Sequence, residues 1–244
     1  FEAAGGNTIL LTGASPTITT TNDNLTFDGG NIVLSTAGTT TIDTELGGSG
    51  GGNVLIDGTI NGTDGENEAL VINGGSGSVT VNGAIGATNP LTTITIGSVG
   101  AGTVEVTNIG GGSAGATGAV NIGNSATTTL TLDGTVYKTG TGATDYEAKA
   151  GNTILLTGVS PTVTTGGGDL SFSTGNIVLS NAGTTTFTTG TGTGGNITVA
   201  ATIDGTDSEN EALVIESGSG NVQLQGAIGA TNPLTTITIN SSGA

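Results

Sequence analysis

Short apolar runs alternate with Thr, Asn and Ser at a period of two through almost the whole chain. They include TITT from Thr17, LTF from Leu25, NIVLS from Asn31, TTTID from Thr39, NVLID from Asn53 and ALVIN from Ala69. The same beat continues in SVTVN from Ser78, LTTITI from Leu91, TVEV from Thr103, AVNI from Ala119 and TTLTLD from Thr128. Each run is short and rich in β-branched residues, as a half-buried strand should be. Between them lie DGGN at Asp28, GGSGGGN at Gly47, NGG at Asn73 and GGGSAGATG at Gly110. Gly and Asn accept the positive-φ corners that such turns need. Apolar residues at i, i+3 and i+4 are not sustained anywhere, and good helix formers are scarce, so no helix is expected.

The pattern is also written twice. GAIGATNPLTTITI at Gly83 returns unchanged at Gly226, and GNTILLTG at Gly6 returns at Gly151, an offset of 145. GNIVLS at Gly30 returns at Gly175 with the same offset, whereas GTDGENEALVI at Gly62 matches GTDSENEALVI at Gly205, an offset of 143. Two residues have therefore been lost between Thr44 and Asn196, in a glycine-rich loop that tolerates the change. The start agrees, since FEAAGGN at Phe1 aligns with YEAKAGN at Tyr146. Residues 1–145 form one repeat unit and residues 146–244 a partial second one, read as a single continuous solenoid. A chain of one and two-thirds units is what a cut through a longer array would give.

Many short strands could make a sandwich, a barrel or a solenoid. Aromatic content of 2% favours the solenoid, because a sandwich interior about 10 Å thick is normally filled with larger side chains. The long repeat points the same way. The expected fold is all-β: a right-handed parallel β-helix. At roughly 20 residues per coil, one unit would give about seven coils. Stacked at about 4.8 Å, the chain would be a rod of about 50–60 Å. The expected interior is Ile9, Ile18, Phe27, Val33, Ile42, Leu55, Val71, Val79, Ile94, Val104 and Leu130. Phe172, Val178, Phe187 and Ile237 are expected at matching points of the second unit, with extra core volume where Phe187 replaces Ile42.

Composition narrows the function. With 2 Lys and 19 acids the net charge is −17, and the only cations are Lys138 and Lys149. Such a chain repels a phosphate backbone and an anionic membrane surface, so nucleic acid is excluded as a partner. His, Cys, Met, Trp and Arg are absent, which removes thiolate metal sites, disulfides and thiol nucleophiles. No apolar stretch is long enough to span a bilayer, and no signal peptide opens the sequence.

The strand GSVTVNGAIG (Gly77 to Gly86) followed by NPLTTITI (Asn89 to Ile96) recurs as GNVQLQGAIG (Gly220 to Gly229) with NPLTTITI (Asn232 to Ile239). These runs resemble the repeats of giant bacterial filamentous-haemagglutinin-like surface proteins. The resemblance implies a secreted or cell-surface β-helical shaft, extracellular and exported through an outer-membrane pore. The N-terminal secretion domain of that family is not seen in this sequence.

Four features could carry chemistry. Asp64, Glu66 and Glu68, with their copies Asp207, Glu209 and Glu211, alternate in a Gly-bearing insert and could gather oxygen ligands around Ca²⁺. Their spacing fits neither an EF-hand nor the calcium-binding nonapeptide, and a solvated turn that blocks lateral aggregation is the preferred reading. Divalent bridging between rods is expected at Asp64 and Asp207. Asp57, Asp64, Asp133 and Asp145 are the candidate carboxylates for glycoside cleavage, which needs acids converging on one face. Asp57 aligns with Ala200, however, and neither His nor Arg is available to assist. Thr93-Ile94-Thr95 and Thr236-Ile237-Thr238 carry the Thr-x-Thr pattern of ice-binding solenoids, but at wandering spacing. Asn31, Asn53, Asn73, Asn82, Asn196 and Asn221 could stack as ladders, and Asn24 and Asn196 fit the glycosylation pattern.

The sequence is therefore read as a non-catalytic structural shaft or stalk segment. It has no catalytic, metal or cofactor-binding residues and needs no cofactor. Its expected partners are itself, end to end or sideways, or a host or abiotic surface, with no small-molecule substrate. The alternative is a subunit of a self-assembling extracellular fibre. An ice-binding solenoid and a polysaccharide-active β-helix are the remoter alternatives.

Overall fold

A computed structural model describes residues 1–45, 50–63, 67–190, 194–206 and 210–241. Among these residues every element is a strand and every ladder between strands is parallel. The chain winds as a right-handed β-solenoid of about nine turns. Each turn has three strands, so the solenoid has three faces, visited in the order A, C, B.

Face A stacks Thr8–Leu11, Asn31–Leu34, Ile60–Asn61, the ends of Val79–Ile85 and Thr103–Ile109, then Val136–Lys138, Thr162–Thr164, Thr184–Thr188, Ala212–Glu216 and Thr236–Asn240. Face C stacks Thr17–Thr19, Gly38–Asp43, Glu68–Asn73, Thr93–Gly97, Val120–Gly123, Thr144–Glu147, Leu170–Thr174, Ile197–Val199 and Val222–Leu224. Face B stacks Leu25–Phe27, Val54–Ile56, the starts of Val79–Ile85 and Thr103–Ile109, then Thr129–Leu132, Thr153–Leu156, Asn176–Leu179 and Ile203–Asp204. Val79–Ile85 and Thr103–Ile109 each run across the edge between B and A, with a register shift between Val106 and Asn108. That crossing is what joins faces A and B into one 16-stranded sheet beside the 9-stranded face C.

Coils are longer than the 20 residues expected. Leu10 pairs with Val33, 23 residues on, and Thr41 with Val71, 30 residues on. Three strands plus three corners simply need more chain than a two-sided repeat. Nine coils at about 4.8 Å make a body about 43 Å long, shorter than the rod expected from the sequence.

The interior is a thin column of Ile, Leu and Val from successive coils, with buried Phe27, Ile42, Val79, Ile94, Val104, Leu130, Phe172 and Phe187 where expected. Four other expected core positions are wrong by one residue. Val33, Leu55, Val71 and Val178 point outward and are only half-buried, while Ile32, Leu34, Val54, Ile56, Leu70, Ile72, Ile177 and Leu179 point in. Runs such as NIVL and VLI are apolar on both faces, so alternation alone does not fix their phase. Ile9 and Ile18 are partly buried at the first coil. Ile237 is 46% exposed, whereas its copy Ile94 is 0% exposed beneath the coil that follows it.

Phe187, on face A, packs inside the solenoid against the aromatic rings of face C. Tyr146, Phe172 and Phe187 follow one another inside the solenoid, with ring centroids 5.4 and 4.6 Å apart, and Tyr137 meets Tyr146 edge-on at 6.4 Å. Phe1 stacks on Phe27 at 5.0 Å, the same pairing one unit earlier. Such contacts add to burial by about 0.5–1.5 kcal/mol each. Burial raises the Tyr137 and Tyr146 hydroxyls above their ordinary range. Tyr137 donates to the Val106 carbonyl at 2.9 Å and accepts from the Gly134 amide, while the Tyr146 hydroxyl has no partner.

Candidate functional site

One local device recurs at the edges between faces. A buried Thr or Ser leaving a strand donates its hydroxyl to the carbonyl of a glycine one or two residues before the next strand. The pairs are Thr44 to Gly52 (2.7 Å), Ser98 to Gly102 (3.4 Å), Thr165 to Gly168 (2.5 Å), Thr189 to Gly195 (2.7 Å) and Ser217 to Gly220 (2.7 Å). This bond closes the corner whatever the loop length. The two residues missing from the second unit fall inside such a corner, since Thr44–Gly52 spans eight positions and Thr189–Gly195 spans six. Both keep the bond.

The glycine that accepts it also lets coils approach. A Cβ on Gly195 would overlap the backbone of Gly168, and one on Gly220 would overlap Gly195. The next residue then ties the coils together. The Asn53 amide donates to Asn24 Oδ1 (2.8 Å) and the Ser78 amide to Asn53 Oδ1 (2.9 Å). In the second unit Asn196 donates to Asp169 Oδ1 (2.7 Å) and Asn221 to Asn196 Oδ1 (3.0 Å). Among the described residues the coils are tied by side chain to backbone bonds of this kind, not by the amide-on-amide asparagine ladders expected. Asn24 and Asn196, the glycosylation candidates, spend their Oδ1 atoms in these bonds.

The acidic insert is closed by a second device. Glu68 Oε1 accepts from the Thr63 hydroxyl (2.5 Å) and amide (3.1 Å), and Glu211 Oε1 accepts from the Thr206 hydroxyl (2.5 Å) and amide (2.9 Å). Both glutamates are fully buried, and the Oε2 atom of each has no hydrogen-bond partner. Burial opposes ionisation of Glu211, yet the Thr206 hydroxyl and the neighbouring amides outweigh it and hold the carboxyl below the ordinary carboxylate range. Glu68 and Glu211 are therefore loop anchors, a role the sequence reading missed. The clue was the fixed spacing T-x₄-E in both copies. Asp64, Glu66, Asp207 and Glu209 lie outside the described residues.

Among the described residues, the carboxylates weighed for glycoside cleavage do not form a glycosidase pair, and Asp64 lies outside them. Asp57 and Asp133 follow face B strands three coils apart, about 14 Å along the axis. Paired glycosidase carboxyls stand roughly 5–9.5 Å apart. Asp145 lies on face C and accepts from Ser173 Oγ at 2.8 Å, while Asp57 accepts from Asn82 Nδ2 at 2.6 Å. Among the described residues no three His, Cys, Asp or Glu side chains are grouped for a metal. Thr93 and Thr95 do face outward around inward Ile94. The outward row through Thr95 is mixed, however, reading Thr41, Val71, Thr95, Asn121, Asp145 and Ser171 coil by coil.

No family model, curated protein or solved structure matches this chain.

Proposed function

We propose that this chain is a segment of a non-catalytic structural shaft belonging to a secreted or cell-surface bacterial protein. One observation supports it most: many of the described acidic side chains are used in holding the coil together, while Asp133 Oδ1 is buried without a hydrogen-bond partner. Asp57 meets Asn82, Asp145 meets Ser173, Asp169 meets Asn196, Asp204 meets the Thr231 amide, and Glu68 and Glu211 close their own loops. A site that turns over substrate needs acids free to exchange protons; these are committed to neighbours. The second unit repeats the stacking of the first pair by pair and adds length. The surface location rests on the resemblance of the NPLTTITI-type strands to filamentous-haemagglutinin-like repeats. The test has two arms. Incubation with a panel of polysaccharides should release no new reducing ends, and antibody to the chain should label intact cells of the source. Turnover abolished by changing one acid would overturn the shaft, and labelling only after lysis would overturn the surface location.

A further inference from the structure

The repeat unit and the coil do not share a period. Thr8–Leu11 lies on face A, but its copy Thr153–Leu156 lies on face B. Thr17–Thr19 lies on face C and its copy Thr162–Thr164 on face A, while Leu25–Phe27 lies on face B and its copy Leu170–Thr174 on face C. Every later copied strand moves in the same sense, to Thr93–Gly97 on C and Thr236–Asn240 on A. Stacking inside the unit is nevertheless unchanged. Thr95 pairs with Val71 and Thr238 with Val214; Leu55 pairs with Thr80 and Thr198 with Gln223. From Thr8–Leu11 to its copy the chain passes seventeen strand positions, counting the two strands that cross an edge twice. At three to a coil, that is five and two-thirds coils.

We infer that this unit is built to turn: in tandem, each copy presents the same surface one face further round, so the shaft offers its features on all sides in succession. The insert closed by Thr63 and Glu68 stands at the edge between faces A and C. The insert closed by Thr206 and Glu211 stands at the edge between B and A. A third copy would stand at the edge between C and B, and the fourth would return to the first edge after 17 coils, about 82 Å. Two conditions allow the turn. The core uses interchangeable aliphatic residues on every face, and the corner bond serves two of the three edges, C to B at Thr44 and A to C at Thr189.

Display of this kind matters only to a shaft, but the turn itself is measured without reference to what the shaft does. The chain has no cysteine, so spin labels go where they are placed. Asn67, Asn210 and Ser219 are exposed. Asn67 and Ser219 share the edge between A and C, six coils apart, about 29 Å. Asn67 and its copy Asn210 are nearer along the axis, about 27 Å, but separated by about 20 Å of face width, which gives about 34 Å in all. Pulsed electron–electron resonance on Asn67→Cys with Ser219→Cys, and on Asn67→Cys with Asn210→Cys, should return the longer distance for the copied pair. A copied-pair distance equal to or shorter than the Asn67–Ser219 distance would overturn the turn while leaving the shaft reading intact. Polysaccharide turnover would do the reverse.

Discussion

At the scale of single residues, the second glutamate anchor is the sharpest test of the local reading. The Glu211 carboxyl is held below its ordinary range, so its contribution is present above about pH 4.3 and fades as pH falls through the lower folded value. Thr206→Val should cost about 1–2 kcal/mol at pH 7 by removing the hydroxyl that meets the charge. Urea unfolding of both proteins at pH 7 and pH 3 checks this. The gap should narrow at pH 3, and an unchanged gap would show that the hydroxyl does not act on the ionised form. The core makes a second prediction. Phe187→Ala should cost about 3–5 kcal/mol, whereas Val178→Ala on the outer surface should cost less than about 1 kcal/mol. Equal midpoint shifts would reverse the inward and outward assignment. That assignment was only half legible. LTF at Leu25 and TTTID at Thr39 show one apolar face each, and Phe27 and Ile42 are buried as read. NIVL and ALVI are apolar on both faces, and their phase is set by neighbouring coils.

At the scale of elements, strands were readable and edges were not. Gly and Asn clusters mark the corners in the sequence, but which hydroxyl closes each one depends on where the next strand begins. The closing bond makes loop length nearly free. Adding two glycines after Gly190, which restores the length of the first unit, should change stability by only about 0.3 kcal/mol. Thr189→Val should cost about 1 kcal/mol despite leaving the loop intact. Gly195→Ala should cost about 1–3 kcal/mol, because the added carbon overlaps the Gly168 backbone. Thermal unfolding of the three variants orders them. A loop insertion as harmful as the glycine change would mean the corner is not closed at its base.

At the scale of the whole molecule, parallel coiling and the single thin core follow from a chain poor in aromatics, rich in β-branched strands and repeated over 145 residues. Coil length did not follow, because nothing in a period-two pattern says how many strands make a turn. Three faces shorten the body and set the unit at five and two-thirds coils, so that repeated surface features spiral. At the candidate site the glutamate anchors were overlooked, because a buried carboxylate in a polar insert has no marker in composition. The net charge of −17 acts between such bodies only within about 8 Å at physiological salt, which favours separation of rods until they are pressed together. The central claim is that each unit adds length and nothing else. Small-angle scattering on chains carrying one to four further units tests it most directly. Length should grow by about 27 Å per unit at constant cross-section, whereas a cross-section that grows with unit number, or separate globules on a string, would contradict the shaft.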